Sequence, residues 1–131
     1  MTAAKTATKP RRLARIHAGE VTPLPLDLSE KDFERTVIET AILFRCRVNH
    51  ARPALNRAGK WMTAIQGHPG LPDWTIARDG WVLLVELKKE RGRVRPDQRL
   101  WLAALGTYGR LWRPSMWIDE IYPTLRDGPA L

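Results

Sequence analysis

The chain has 131 residues, enough for one domain around a single core. Its apolar content of 44% and six tryptophans argue for a globular protein over a disordered one, and its net charge of +8 with a pI near 10.4 favours a polyanionic partner. The single cysteine, Cys46, excludes an internal disulfide and a cysteine-rich zinc site, and no apolar run reaches the roughly 18 residues of a membrane span, so an intracellular chain with no membrane partner is expected.

Residues 1–28 differ in composition from the rest. Lys5, Lys9, Arg11, Arg12 and Arg15 all precede the first acid, Glu20, and no apolar stretch of a secretory signal lies among them. They read as a flexible basic arm that touches phosphates without sequence preference, or as a solvated tail with no role. Pro23 and Pro25 keep the end of this segment extended. Ser29 then caps a helix, with Glu30 and Asp32 in its first turn and Phe33, Val37, Ile38, Ala41, Ile42 and Cys46 recurring at helical spacing. Glu30 and Glu34, four apart, share one face of that helix. Residues 47–51 make a short strand. His50, like His17 and His68, stands isolated from any histidine metal pattern.

Residues 52–70 read as one long loop, punctuated by Pro53, Gly59, Gly67, Pro69 and Gly70. Arg52, Arg57 and Lys60 interleave there with Trp61, which suits contact with nucleic acid, or a flap with Trp61 tucked into the core. Next comes a hairpin. Asp79-Gly80 is a preferred dipeptide for a two-residue turn whose central residues need positive φ. With that turn, 78 faces 81, 76 faces 83, and Asp73 comes opposite Glu86 with Cβ atoms roughly 5 Å apart. Lys88 shares the face of Glu86 by strand alternation. The run from Trp81 to Val85 is apolar on both faces, so its strand is central, and acids at its end are costly to bury without a partner. Two facing carboxylates raise each other's pKa unless a cation lies between them, and a hard divalent ion such as Mg²⁺ is the natural occupant. An ammonium beside it can orient a water or offset developing phosphate charge; the alternative is a surface ion-pair cluster.

Four basic residues follow in seven positions, Lys89, Arg91, Arg93 and Arg95, opposed only by Glu90, and this loop is placed to grip phosphates. Pro96 suits the first position of a helix that runs from Asp97 to about Leu105 and stops at Gly106, with Gln98 in its first turn. Gly109 to Arg113 reads as a strand, Ser115 as the cap of a last helix from Met116 to Tyr122, and residues 126–131 as a frayed tail. The order is α/β with a small mixed sheet flanked by helices, one domain from 29 to 125.

Pro72-Asp73 followed thirteen positions later by Glu86-Leu87-Lys88 resembles the signature of the PD-(D/E)XK nucleases. Gly70-Leu71-Pro72-Asp73, Glu86-Leu87-Lys88 and the later Gln98 together resemble its VRR-NUC branch, over about Ser29 to Ile121. The resemblance implies a restriction-endonuclease-like core (α-β-β-β-α-β-α) and a metal-dependent DNA endonuclease. On it, Asp73, Glu86 and the backbone carbonyl of Leu87 would hold Mg²⁺ or Mn²⁺, Lys88 would position or activate the attacking water, and Gln98 would support the metal site or the scissile phosphate. An acid of the first helix completes the site in that family. Here Glu30 is expected in that role with Glu34 close behind it, although the apolar spacing around Glu34 favours the reverse. Stand-alone members are compact phage or bacterial proteins acting on branched DNA in repair and recombination, some resembling Holliday-junction resolvases. This implies a cytoplasmic protein, in the host-cell cytoplasm if viral. Symmetric cutting of a four-way junction needs two sites, so a homodimer is expected, with Trp112, Trp117 or Trp61 contributing apolar interface. A nucleic-acid-binding module without turnover and a restriction-type nuclease are the alternatives.

Overall fold

The computed structural model describes residues 21–51, 54–55, 57–62 and 66–131. The basic arm up to residue 20, and Arg52, lie outside the described residues. Helix α1 spans Glu30–Leu43 and starts as its sequence dictates, the Ser29 Oγ accepting the Asp32 N–H at 3.0 Å. It ends earlier than the apolar spacing implied. Cys46 N–H reaches back to the Ala41 carbonyl across Arg45, whose φ of 69° is left-handed. This is the closure that a glycine usually signals, made here by an arginine. Cys46 therefore lies beyond the helix, although it is buried in the core as expected.

Strands β1 (Arg47–His50), β4 (Trp74–Arg78), β5 (Trp81–Leu87) and β6 (Gly109–Trp112) form a mixed sheet in the order β1-β4-β5-β6. The β1–β4 and β4–β5 pairs are antiparallel and β5–β6 is parallel. The hairpin register matches the turn chemistry: Arg78 pairs with Trp81 and Ile76 with Leu83, while Asp79 and Gly80 both take positive φ, 47° and 88°. β5 is internal, which explains its apolar composition. The long loop carries a second, two-stranded sheet that the sequence reading lacked, β2 (Ala54–Leu55) against β3 (Trp61–Met62).

The core lies on one face of the main sheet. Phe33, Val37 and Ala41 of α1 pack with Ile76, Leu83, Val85, Leu87 and Trp112 of the strands, and with Trp117, Ile121, Tyr122 and Leu125 beyond them. Helix α2 (Pro96–Leu105) ends at Gly106, as its sequence implies, and packs by β6. The last helical stretch differs from the single helix expected over Met116 to Tyr122. It starts as a 3₁₀ turn at Pro114–Met116, continues as a π-helix over Trp117–Ile121 and ends as α3 (Tyr122–Asp127). Ser115 does not cap it; its N–H bonds Glu90 Oε1 at 2.9 Å. The helix also takes in the first two residues of the tail expected from 126. Arg126 and Asp127 are helical, the Arg126 carbonyl takes a bond from Arg78, and the Ala130 carbonyl takes one from Arg110. Trp112 and Trp117 are buried at 0% and 4% exposure, so neither is available as interface surface. No helix among the described residues is long and apolar enough to cross a membrane.

Candidate functional site

The site forms where the paired ends of β4 and β5 meet the loop ahead of β4 and the first turn of α2. Asp73 is the residue just before β4. The pairing of Trp74 with Val85 carries on to set Asp73 opposite Glu86, and the Asp73 carbonyl accepts the Ala51 N–H at 2.9 Å. Gly70-Leu71-Pro72 brings it there. Gly70 has φ 101°, and a Cβ on it would lie 2.5 Å from the Asp97 carbonyl oxygen, so only glycine lets this loop rest on the start of α2.

Glu86 lies near the end of β5, on the face opposite Leu83, Val85 and Leu87, yet it is only 2% exposed. Its Oε2 is 3.6 Å from Lys88 Nζ, and Oε1 is buried with no hydrogen-bond partner. Desolvation, aided by the Asp73 charge and more weakly by Glu30, pushes the Glu86 carboxyl up to about 7 against the pull of Lys88 and of the Asp73 main-chain N–H. Asp73 is solvent-exposed at the rim, and its carboxyl is also raised, chiefly by partial desolvation and then by Glu34, against the opposing effects of His50, Lys88 and Arg95. The sequence thus places Asp73, Glu86 and Lys88 together as expected. Leu87 packs its side chain in the core.

Both glutamates of α1 act on this site. Glu30, exposed at the helix start, adds repulsion to Glu86, and Glu34 adds it to Asp73. Glu34 is further engaged: its Oε2 accepts the Trp74 indole N–H at 2.9 Å and lies 3.9 Å from His50 Nε2. The His50 ring stacks on Trp74 with centroids 4.2 Å apart and planes 8° from parallel. His50 is therefore part of the site, which its isolation in sequence concealed. The signal was positional: β1 ends at His50, opposite Trp74 and next to Asp73.

Gln98 is 3% exposed, and its Oε1 accepts the Arg95 N–H at 2.9 Å. It closes the start of α2 in capping-box fashion, joining the basic loop to the helix. That loop is not loose. Val94 is buried, and Arg113 Nη1, just past β6, donates to the carbonyls of Lys89, Glu90 and Gly92, each at 2.9 Å. Nothing in the spacing of the basic residues pointed to Arg113. Lys89, Arg91 and Arg93 are exposed and make no salt bridge among the described residues, whereas Arg95 Nε pairs with Asp97 Oδ1 at 3.2 Å. Arg57 and Lys60 are exposed between β2 and β3, on the separate two-stranded sheet.

Among the described residues no three His, Cys, Asp or Glu side chains already form a metal-holding cluster. The donors at hand are two carboxylates and main-chain oxygens, a hard set that suits Mg²⁺, an ion usually bound by one or two carboxylates with water and phosphate oxygens. The orphaned Glu86 oxygen is the group such an ion would satisfy, so the residues fit it. No protein-family model, no curated protein and no solved structure matches this chain.

Proposed function

We propose that the chain is a metal-dependent endodeoxyribonuclease that hydrolyses phosphodiester bonds, with branched DNA as its preferred substrate. Glu86 carries this reading: a carboxylate buried to 2% exposure, with one oxygen unpartnered, an acid opposite it and a lysine 3.6 Å away. A structural ion pair would satisfy its own oxygens; this one leaves an acceptor aimed at something else. The four-stranded mixed sheet with α1 before it and α2 inserted between β5 and β6 supports a restriction-endonuclease-like core of the PD-(D/E)XK type, VRR-NUC branch.

Asp73 and Glu86, with the Leu87 carbonyl, would hold Mg²⁺ or Mn²⁺. When bound, such a cation supplies Lewis-acid polarisation of the phosphodiester. The Lys88 ammonium, fixed beside Glu86, orients the attacking water and offsets charge that develops on the phosphate. Glu30 and Glu34 deepen the negative potential that selects a cation there. Gln98 holds the junction between the basic loop and α2, and so acts as a positioning residue. Lys89, Arg91 and Arg93 grip the DNA backbone, which sets register without reading sequence.

The test is purified protein with Mg²⁺ or Mn²⁺ against linear, flapped, forked and four-way DNA. Cleavage strongest on a branched substrate and lost in chelator is expected. Binding without cleavage in either metal would leave a silent nucleic-acid-binding module, and cleavage at one short sequence of linear duplex would mark a restriction-type enzyme.

A further inference from the structure

Beside the site lies a pocket of about 270 Å³ lined by His68, Pro69, Asp97, Leu100, Trp101 and Ala104. We infer that it receives a single unpaired nucleobase of a DNA strand held at the Asp73–Glu86 site, an inference that rests on the nuclease reading for its ligand.

The pocket falls just below the roughly 300 Å³ at which sites for drug-sized molecules begin, a size suited to one planar ring system. Its surface is apolar ring and aliphatic carbon. The Trp101 indole N–H is spent on the His68 carbonyl at 3.1 Å, so the indole offers ring surface to the cavity, and Leu100 at its rim is 73% exposed. Such aromatic surface binds bases by stacking, with little regard to base identity. The one acid there, Asp97, is engaged by the Gln98 N–H at 2.8 Å and by Arg95.

Position and charge choose the occupant. Pro69 is four residues from Asp73, at most about 14 Å of extended chain, which corresponds to a few nucleotides of stacked strand at about 3.4 Å each. Gly70, between them, is locked against the main chain of Asp97, so pocket and site share one wall. The loop carrying Lys89, Arg91 and Arg93 leads directly into the same helix start. An apolar peptide would gain nothing from that basic margin, whereas a nucleotide offers a flat ring on an anionic link. Bases inside a duplex are stacked and paired, so entry is open only to a base already freed at a bulge, flap or junction. This would account for a preference for branched DNA by base capture.

The test measures binding in chelator, by fluorescence anisotropy, to a duplex with one unpaired nucleotide and to the same duplex with an abasic analogue in its place. The wild type should bind the base-containing DNA about fivefold more tightly, the low end of one stacking contact. Ala104→Leu fills the pocket from an exposed helix position with a good helix former and should erase the difference. Trp101→Ala should erase it too, and Trp101→Phe should keep it. Equal wild-type affinity for both DNAs, or discrimination undiminished in Ala104→Leu, overturns the inference. Cleavage is scored separately with Mg²⁺. Discrimination without cleavage would overturn the nuclease reading and leave the pocket, cleavage without discrimination would do the reverse, and binding of neither DNA would overturn both.

Discussion

Replacing Glu86 by glutamine should remove one pH-dependent contribution to stability while destroying the site. The Glu86 carboxyl is displaced from an ordinary 4.5 to about 7, so the folded protein holds its proton more tightly than the unfolded chain. Stability from this group is therefore fully present below pH 4.5, falls as pH rises through the window, and is lost above pH 7. At about 1.4 kcal/mol per pH unit, the displacement comes to roughly 3 kcal/mol. Glutamine cannot titrate, so the stability of Glu86→Gln minus that of the wild type should grow by roughly 3 kcal/mol across that window. Taking the difference cancels the titrating groups that do not interact with Glu86, while Asp73, Lys88 and Glu30, which do, modulate the size of the change. Urea unfolding of both proteins in chelator at the two ends of the window measures it. Adding Mg²⁺ above pH 7 should then raise wild-type stability, by about 2.7 kcal/mol at a hundredfold excess over Kd, and leave the variant unmoved. A difference that stays constant across the window would refute the desolvation argument, and with it the case for Glu86 as a waiting ligand.

Asp73→Asn and Lys88→Ala should each abolish cleavage, by about a hundredfold or more, while DNA binding by anisotropy is retained or tightened in Asp73→Asn. Full cleavage by the Asp73 variant would sink the nuclease reading. Glu30→Gln should raise the Mg²⁺ concentration needed for half-maximal cleavage more than Glu34→Gln does, because Glu34 is already engaged by Trp74 and His50; normal titration by Glu30→Gln beside a dead Glu34→Gln would reverse the assignment. Arg113→Ala removes a charged donor shared among three carbonyls, so a loss of about 2 kcal/mol in unfolding and weaker DNA binding are expected; unchanged affinity would show that the loop needs no clamp. A homodimer is predicted by light scattering. Exposed Ile42, Val82 and Tyr108 are better interface candidates than the buried Trp112 and Trp117. A monomer that still cuts both strands of a four-way junction would refute it.

What could be read from the sequence was whatever is decided within a few residues. Ser29 with Asp32 starts a helix, Asp79-Gly80 turns a hairpin, and Pro96 and Gly106 bracket α2; each signal is local and each matched the fold. Asp73, Glu86 and Lys88 followed because a two-residue turn fixes the register along the whole hairpin. What stayed hidden depends on distant partners or atypical residues. Arg45 closes α1 in a conformation where sequence logic looks for glycine. His50 gains its place from Trp74 across β1–β4 and from Glu34 on α1. The last helix runs on past Tyr122 through Pro123 to Asp127, across a change from π to α hydrogen bonding that no local residue signal marks. Arg113 meets the basic loop only because β6 lies parallel beside β5.

The Arg113 clamp fixes more than the loop's shape. With the Lys89, Glu90 and Gly92 carbonyls gathered on one guanidinium nitrogen, the backbone from which the exposed cations of that loop project is held in one shape. A grip of that kind spends little ordering entropy on binding, and it cannot stretch to follow its partner. DNA held there, on the function proposed above, would have to conform instead. Straight duplex is stiff over about 150 base pairs, whereas a junction, nick or flap hinges freely, so the elastic cost of fitting the grip would fall on intact duplex alone. On that proposal, rigidity in the protein would act as a filter on the mechanical compliance of what it holds.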